Sequence, residues 1–399
     1  MFLFGKKKKK APINSNLAFD LYHQSKREVE KMIPLRLLVV GKTGSGKSTL
    51  VNAFFREEVA STGVGFPVTV GIQKITKANL PLEIFDSQGL ELSGTNQGQV
   101  VHQVMALIRQ QEEENSPVHL VYYCINAAMG RIEPTEAALI QKLSQVLPVI
   151  IVLTQAIGDR YTSFINQIKS VCPQAVAVLP VLAKDMVLLG EIKLTAYGLQ
   201  GLLEESMKHI PEEVRKAFIN AQRVDLELKV TEARRWAKKY MKTCFGIGFI
   251  PLPVADATLL VPLQITMLAH LTSIMGVSLS LKQMISLVAG MGGTSLSTLV
   301  GRLLAGTFAK LIPGPGALTG AVINGTTASA ISLALAYSYI EVLKQITLRE
   351  EAGKPLIQHE LVDLMNRLFS QEFDRINRNL KGQTKETLSD RLLEKMIDF

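Results

Sequence analysis

Eight consecutive residues, Gly41-Lys42-Thr43-Gly44-Ser45-Gly46-Lys47-Ser48, have the types and spacing to grip a polyphosphate. They form the pattern G-x-x-x-x-G-K-[ST] between an apolar run at residues 35–40 and a helix-forming stretch at 49–55. Glycines let the main chain curl until its N–H groups converge on phosphate oxygens, and a helix N-terminus adds partial positive charge. In that setting Lys47 reaches the β- and γ-phosphates, the Ser48 hydroxyl ligates Mg²⁺, and Thr49 closes the run of nucleotide contacts. The bland alternative is a glycine-rich turn ahead of an ordinary helix, and the flanking strand and helix patterns count against it.

Two further groups stand at the intervals such a loop needs. Asp86-Ser87-Gln88-Gly89 follows the short apolar stretch 82–85. An Asp ending that strand holds Mg²⁺ through a water, and the Gly89 N–H meets the γ-phosphate. Between the two motifs lies Gly65-Phe66-Pro67-Val68-Thr69. Thr69 can give its hydroxyl to Mg²⁺ and its N–H to the γ-phosphate, so that its segment is ordered only while the third phosphate is present. A threonine placed there by β-propensity alone is the competing reading. Catalytic work thus falls to Lys47, Thr69 and Gly89, and metal ligation to Ser48, Thr69 and Asp86.

These residues need a scaffold, and the pattern of residues 34–210 supplies one. Apolar runs at 35–40, 71–80, 81–85, 118–125, 149–153 and 175–180 alternate with helical patterns at 97–113, 135–147, 160–171 and 199–210. The expected fold is a doubly wound α/β domain whose mixed six-stranded sheet has one antiparallel edge pair. Residues 57–70, rich in Gly, Pro, Ser and Thr, read as a mobile loop. Residues 1–33 form a basic tip and a helix at 15–31, expected to pack on the domain that follows. Residues 211–243 read as one long connecting helix, 244–345 as an all-α hydrophobic domain, and 346–399 as amphipathic helices that return to the α/β domain or the connecting helix.

The 399 residues carry a formal net charge of +9 with 47% apolar residues and only 20% charged ones, an excess gathered after Cys244. The charge favours an anionic partner, a membrane surface or nucleic acid. The three cysteines, Cys124, Cys172 and Cys244, are far apart and lack metal-ligand spacing, as expected of reduced thiols. Met1-Phe2-Leu3-Phe4 precedes the five lysines 6–10, the reverse of a secretory signal. That tip is either a weak lipid anchor or a solvated tail.

The phosphate-side motifs resemble those of the Era-like, translation-factor-related GTPases over residues 35–210. The resemblance implies GTP and GDP as ligands, Mg²⁺ as cofactor, and hydrolysis of the γ-phosphate. It also implies a base-recognition motif [NT]-K-x-D, where this chain has Thr154-Gln155-Ala156-Ile157-Gly158-Asp159. Gln155 replaces the lysine, and Asp159 stands two positions late, which puts guanine selectivity in question. Leu182-Ala183-Lys184 resembles the S-A-K loop, with Ala183 and Lys184 on the base side. Leu90 occupies the place of the water-orienting glutamine, so turnover is expected to be slow without a partner. Arg131 reads as a solvated loop residue rather than an internal arginine finger.

Residues 257–281 and 311–340 carry no formal charge, and each is long enough to cross about 30 Å of hydrocarbon as a helix. Prolines interrupt them, and Asp256, Gln264 and His270 are costly in lipid. A buried helical bundle or a shallow hairpin explains the same pattern. Phe249-Ile250-Pro251-Leu252-Pro253-Val254-Ala255-Asp256, Val261-Pro262-Leu263-Gln264 and Ile312-Pro313-Gly314-Pro315-Gly316 resemble the YcjF-like hydrophobic domain fused behind Era-like GTPases in bacteria. The whole chain then reads as a GTPase switch at the cytoplasmic face of the inner membrane. Its expected partners are guanine nucleotide, an anionic membrane surface or bilayer, and a second copy in a homo-oligomer. The rivals are a ribosome- or RNA-associated assembly factor, ranked lower for want of an RNA-binding motif, and a dynamin-like remodelling protein.

Overall fold

The computed structural model describes residues 15–56, 64–69, 72–87, 97–158, 160–188, 190–248, 255–291 and 317–381. The chain divides into two compact units, one of residues Val29–Asp225 and one built from Met1–Glu28 with Leu226–Phe399.

The first unit is an α/β layer structure around a seven-stranded sheet. Its strands are β1 (Leu35–Val40), β2 (Val64–Thr69), β3 (Ile72–Thr76), β4 (Leu82–Asp86), β5 (Leu120–Asn126), β6 (Val149–Thr154) and β7 (Ala177–Val181), in the order β2-β3-β4-β1-β5-β6-β7. From β4 to β7 the neighbours are parallel, whereas β2 with β3 and β3 with β4 are antiparallel. The central strands β1 and β6 are buried along their whole length, because helices cover both faces. Those helices are α2 (Lys47–Phe54), α3 (Gln97–Glu113), α4 (Pro134–Ser144), α5 (Arg160–Val171), α6 (Leu199–His209) and α7 (Glu212–Ala221). Leu38, Phe85, Tyr123, Leu139, Ile151 and Ile168 belong to the core on one side. On the other, Phe54 stacks on Phe218 at 5.7 Å and the Tyr122 hydroxyl is 2.7 Å from Ser206 Oγ.

The six expected strands stand in a mixed sheet, and β2 adds a seventh at the antiparallel edge, inside the segment expected to be a mobile loop. The β2–β3 pairing explains why: its register runs from Val64↔Thr76 to Thr69↔Ile72 around an irregularity between Pro67 and Thr69. A hairpin of β8 (Met186–Leu188) and β9 (Ile192–Leu194) follows β7, which the sequence reading had not separated.

The connecting segment is not one helix. It breaks between α7 and α8 (Leu226–Gly248). There the fully buried Gln222 pairs with Phe55 in a bridge, and its side-chain amide takes up Asp225 N and Asp225 O, each at 2.8 Å. These bonds compete with helix continuation.

The second unit is helical: α1 (Ser15–Glu30), α8, α9 (Ala255–Met275), α10 (Leu281–Gly290), α11 (Ala317–Glu351) and α12 (Gln358–Lys381). The expected packing of the first helix on the α/β domain is corrected. Leu17, Ala18 and Leu21 of α1 are buried, and Gln24 Nε2 donates to Thr266 Oγ1 of α9 at 2.9 Å. Likewise α12 packs on α10 and α11 through a seam of Leu361, Met365, Phe369, Phe373 and Ile376. Residues 331–340 of α11 are all buried, as in a helix surrounded by others.

Helices α9 and α11 lie on the two uncharged stretches. Among the described residues no helix is long and apolar enough to cross a membrane. Several of their polar groups find partners inside the bundle: Gln264 Nε2 donates to Ser332 Oγ at 3.2 Å, Thr272 Oγ1 is 2.7 Å from the Tyr339 hydroxyl, and Tyr240 OH is 3.3 Å from His270 Nδ1. The buried Lys229 Nζ donates to the Met275 carbonyl at the end of α9, where a cation is favoured.

His119 sets one pH dependence. Its Nδ1 accepts from Arg36 N at 2.9 Å, and its pKa is lowered to about 4 by burial and by the Arg36 charge, against the weaker pull of Glu213 and Glu83. The unfolded chain therefore binds more protons between about pH 6.5 and pH 4, and acidification through that window destabilises the fold. Urea melts of wild type and His119→Asn across this range should converge as pH falls, with the wild type losing stability faster; parallel profiles would remove His119 as the cause.

Candidate functional site

The loop between β1 and α2 is shaped by positions where a side chain does not fit. Gly41, Gly44 and Gly46 have φ of 151°, 79° and 82°. A Cβ on Gly41 would stand 2.4 Å from the Cys124 carbonyl oxygen, and one on Gly46 would be 3.2 Å from Thr154. The curl that results leaves Thr43, Gly44, Ser48 and Thr49 exposed, while Ser45 and Lys47 are buried. Lys47 Nζ donates to the carbonyls of Gly41 at 2.8 Å and Lys42 at 3.0 Å, so the ammonium bridges the turn from its inner side.

Three neighbours hold this loop. Thr154, at the end of β6, donates its hydroxyl to the Ser45 carbonyl at 2.6 Å. Lys42 Nζ lies 2.6 Å from Glu133 and 3.4 Å from Glu136 at the start of α4. Glu136, itself buried, also accepts from Glu133 N at 3.1 Å, closing that helix start. The Lys42 side chain is thus committed to carboxylates, and what it offers a phosphate is its main chain. Sequence reasoning missed this clamp, although Glu133-Pro134-Thr135-Glu136 carries a helix-start signature.

Asp86 ends β4 beside β1, in register with Val39, and is buried. Its neighbour Ser87 donates its main-chain N–H to Val39 O, while among the described residues neither its fully buried hydroxyl nor the buried Ser45 hydroxyl has a hydrogen-bond partner. Orphaned hydroxyls at a loop of this shape fit a site that takes a polyphosphate and its cation. Ser48 and Asp86 are hard oxygen donors suited to Mg²⁺. Among the described residues no cluster of three or more His, Cys, Asp or Glu has metal-ligand spacing. Thr69 ends β2, opposite Ile72. Gly89 and Asp159 lie outside the described residues, as do Gln88 and Leu90.

On the base side, Gln155 is exposed with φ of 51°, and its Oε1 accepts from Asn126 Nδ2 at 3.3 Å. Ala156 is buried, with its carbonyl accepting from the Tyr197 hydroxyl at 2.8 Å. Ala183 is half-buried and Lys184 exposed. Arg131 is exposed, in keeping with a solvated loop residue. The Cys124 thiol is pushed up to about 12 by burial, so it is inert and serves the loop through its carbonyl.

Residues 36–155 match the family model described as 50S ribosome-binding GTPase. The matched span lies within the α/β unit and takes in the loop of Gly41–Ser48. Residues 214–370 match a Domain of unknown function (DUF697), a span from α7 into α12. None of the curated proteins matches the chain. Among solved structures, one described as a probable GTP-binding protein engB is 14% identical over 45% of this chain and 99% of its own, with a TM-score of 0.29. Another, of chloroplast translocon components whose dimerization is important for GTPase activity, is 13% identical over 52% of this chain and 93% of its own, at 0.30. At these scores neither bears on function. The family match supports binding and hydrolysis of GTP by this domain, and it ends at Gln155, short of Ala183 and Lys184.

The clamps are testable. Thr154→Val should weaken binding of a fluorescent GTP analogue about fivefold, the worth of one hydrogen bond of about 1 kcal/mol. Gly41→Ala should abolish it, since only a main-chain shift relieves the clash. Unchanged affinity in both variants would show that the loop is not shaped by these contacts.

Proposed function

We propose that the protein is a Mg²⁺-dependent GTPase switch of the Era-like branch, hydrolysing GTP to GDP and phosphate and working at the cytoplasmic face of a bacterial membrane. The observation that carries the reading is the loop of Gly41–Ser48, with Lys47 drawn onto its inner carbonyls and Asp86 buried at the adjacent strand end. The loop N–H groups and Lys47 bind the phosphates. Ser48, Thr69 and Asp86 would hold Mg²⁺, which when bound would neutralise charge on the phosphates. Thr69 and Gly89 sense the γ-phosphate. With β2 joined to β3 by its ladder, release of Thr69 on hydrolysis would loosen a strand at the sheet edge, a signal a partner can read.

Leu90 in place of a water-orienting glutamine supports slow intrinsic turnover. The base side supports guanine through Thr154, Asp159, Ala183 and Lys184, while Gln155, held by Asn126, leaves the base less enclosed than a lysine would. The basic balance of the chain and the apolar helical unit support an anionic membrane surface as partner, with a homo-oligomer as the assembly. The family description at residues 36–155 favours a second reading, a ribosome-associated GTPase.

Lys47→Ala should weaken GTP-analogue binding at least about a hundredfold, from the loss of charge-assisted bonds worth about 3 kcal/mol. Retained affinity would overturn the phosphate assignment. GTP should displace the analogue from the wild type better than ATP, and equal displacement would move the reading to a mixed-base NTPase. Cosedimentation with anionic vesicles and not with ribosomes supports the membrane reading, and the reverse supports the second.

A further inference from the structure

The geometry points to a second ligand site, in the helical unit, for an amphiphilic anion: a short acyl chain carrying a phosphate or carboxylate head. It goes beyond the GTPase reading and does not depend on it. The site is a cavity of about 300 Å³ between α10 and α12.

A close contact creates it. A Cβ on Gly290, at the end of α10, would stand 2.8 Å from both Met365 Cβ and the Val362 carbonyl of α12. The two helices therefore touch backbone to backbone there. N-terminal to that contact, Lys282, Ile285 and Ala289 of α10 face Gln358, His359 and Val362 of α12 across a gap. Both helix starts are closed by their own residues. Ser280 and Gln283 cap α10 reciprocally, and Glu360 Oε2 accepts from Ile357 N at 3.0 Å before α12.

The lining divides by chemistry. Ile285, Ala289 and Val362 make an apolar wall, and Leu281 and Ile357, the sequence neighbours of the lining residues Lys282 and Gln358, are 36% and 55% exposed. Large apolar side chains left in water beside a cavity mark a binding face. At the mouth, Lys282 and His359 are exposed, and among the described residues no carboxylate pairs with Lys282. The Ser286 hydroxyl is spent on the Lys282 carbonyl at 3.0 Å. An apolar wall ending at a free cation selects a ligand with a hydrocarbon body and an anionic head. The volume is at the lower end of the range of about 300–1,000 Å³ for small-molecule sites.

The full-length protein should be titrated calorimetrically with octyl phosphate below its micelle concentration, with octanol, octyltrimethylammonium and inorganic phosphate as comparisons. The expected result is one site per chain, with octyl phosphate at least tenfold tighter than any comparison. Lys282→Met should cost about tenfold, and Ala289→Trp, which fills the gap, should remove binding. Equal affinity for octanol and octyl phosphate, or unchanged affinity in Lys282→Met, would overturn the proposal. Lys282 is exposed, so this test survives even if Ala289→Trp fails to fold. Pelleting with phosphatidylglycerol vesicles that is lost in Lys282→Met assigns the head to a bilayer lipid. Pelleting that persists while octyl phosphate binding is lost assigns a free amphiphile. GTP-analogue binding should be unchanged in both variants, which separates this site from the P-loop.

Discussion

No carbon atom can be added to Gly41 without driving it into the Cys124 carbonyl, and this crowding ties the first turn after β1 to the neighbouring strand β5. Strand order then does the rest. Because β1 lies between β4 and β5, the loop leaving it has Asp86 on one side and Cys124 on the other, and Thr154 reaches it from β6. The loop's shape is thus imposed by the ends of four parallel strands, the place where open α/β sheets bind ligands. Lys47 adds an internal tie, and Lys42 fastens the outside of the turn to the start of α4.

Most of this unit was legible in the sequence, since buried parallel strands read as unbroken apolar runs and the connecting helices repeat at their own period. The turn after β1 was legible in its glycines, for Gly41, Gly44 and Gly46 are forced by geometry. What escaped was set by contacts between distant residues. Val64–Thr69 has the composition of a loop and becomes a strand only because β3 offers a ladder. The helical pattern across residues 211–242 gives no sign of the stop at Gln222, whose amide is drawn into a bridge with Phe55 and bonds to Asp225. The Lys42 clamp was hidden because its acids lie some ninety positions away, on another helix.

The helical unit shows why an uncharged stretch is an ambiguous sign. Gln264, Thr272 and His270 would be costly in hydrocarbon, yet each finds a side-chain partner on a neighbouring helix. Hydropathy averages over a helix and cannot see such pairs. Residues 331–340 are buried on every side because helices pack around them, whatever the unit meets beyond itself.

Helix α1 has a consequence for how the chain is made. It is translated ahead of the α/β unit, yet its buried face and Gln24 belong with α9, more than two hundred residues later. During vectorial synthesis the sheet domain can close as soon as Asp225 has left the ribosome, whereas Gln24 of α1 must wait for Thr266 of α9 to emerge. The nascent chain therefore carries α1 without its partner in α9 while the α/β unit folds.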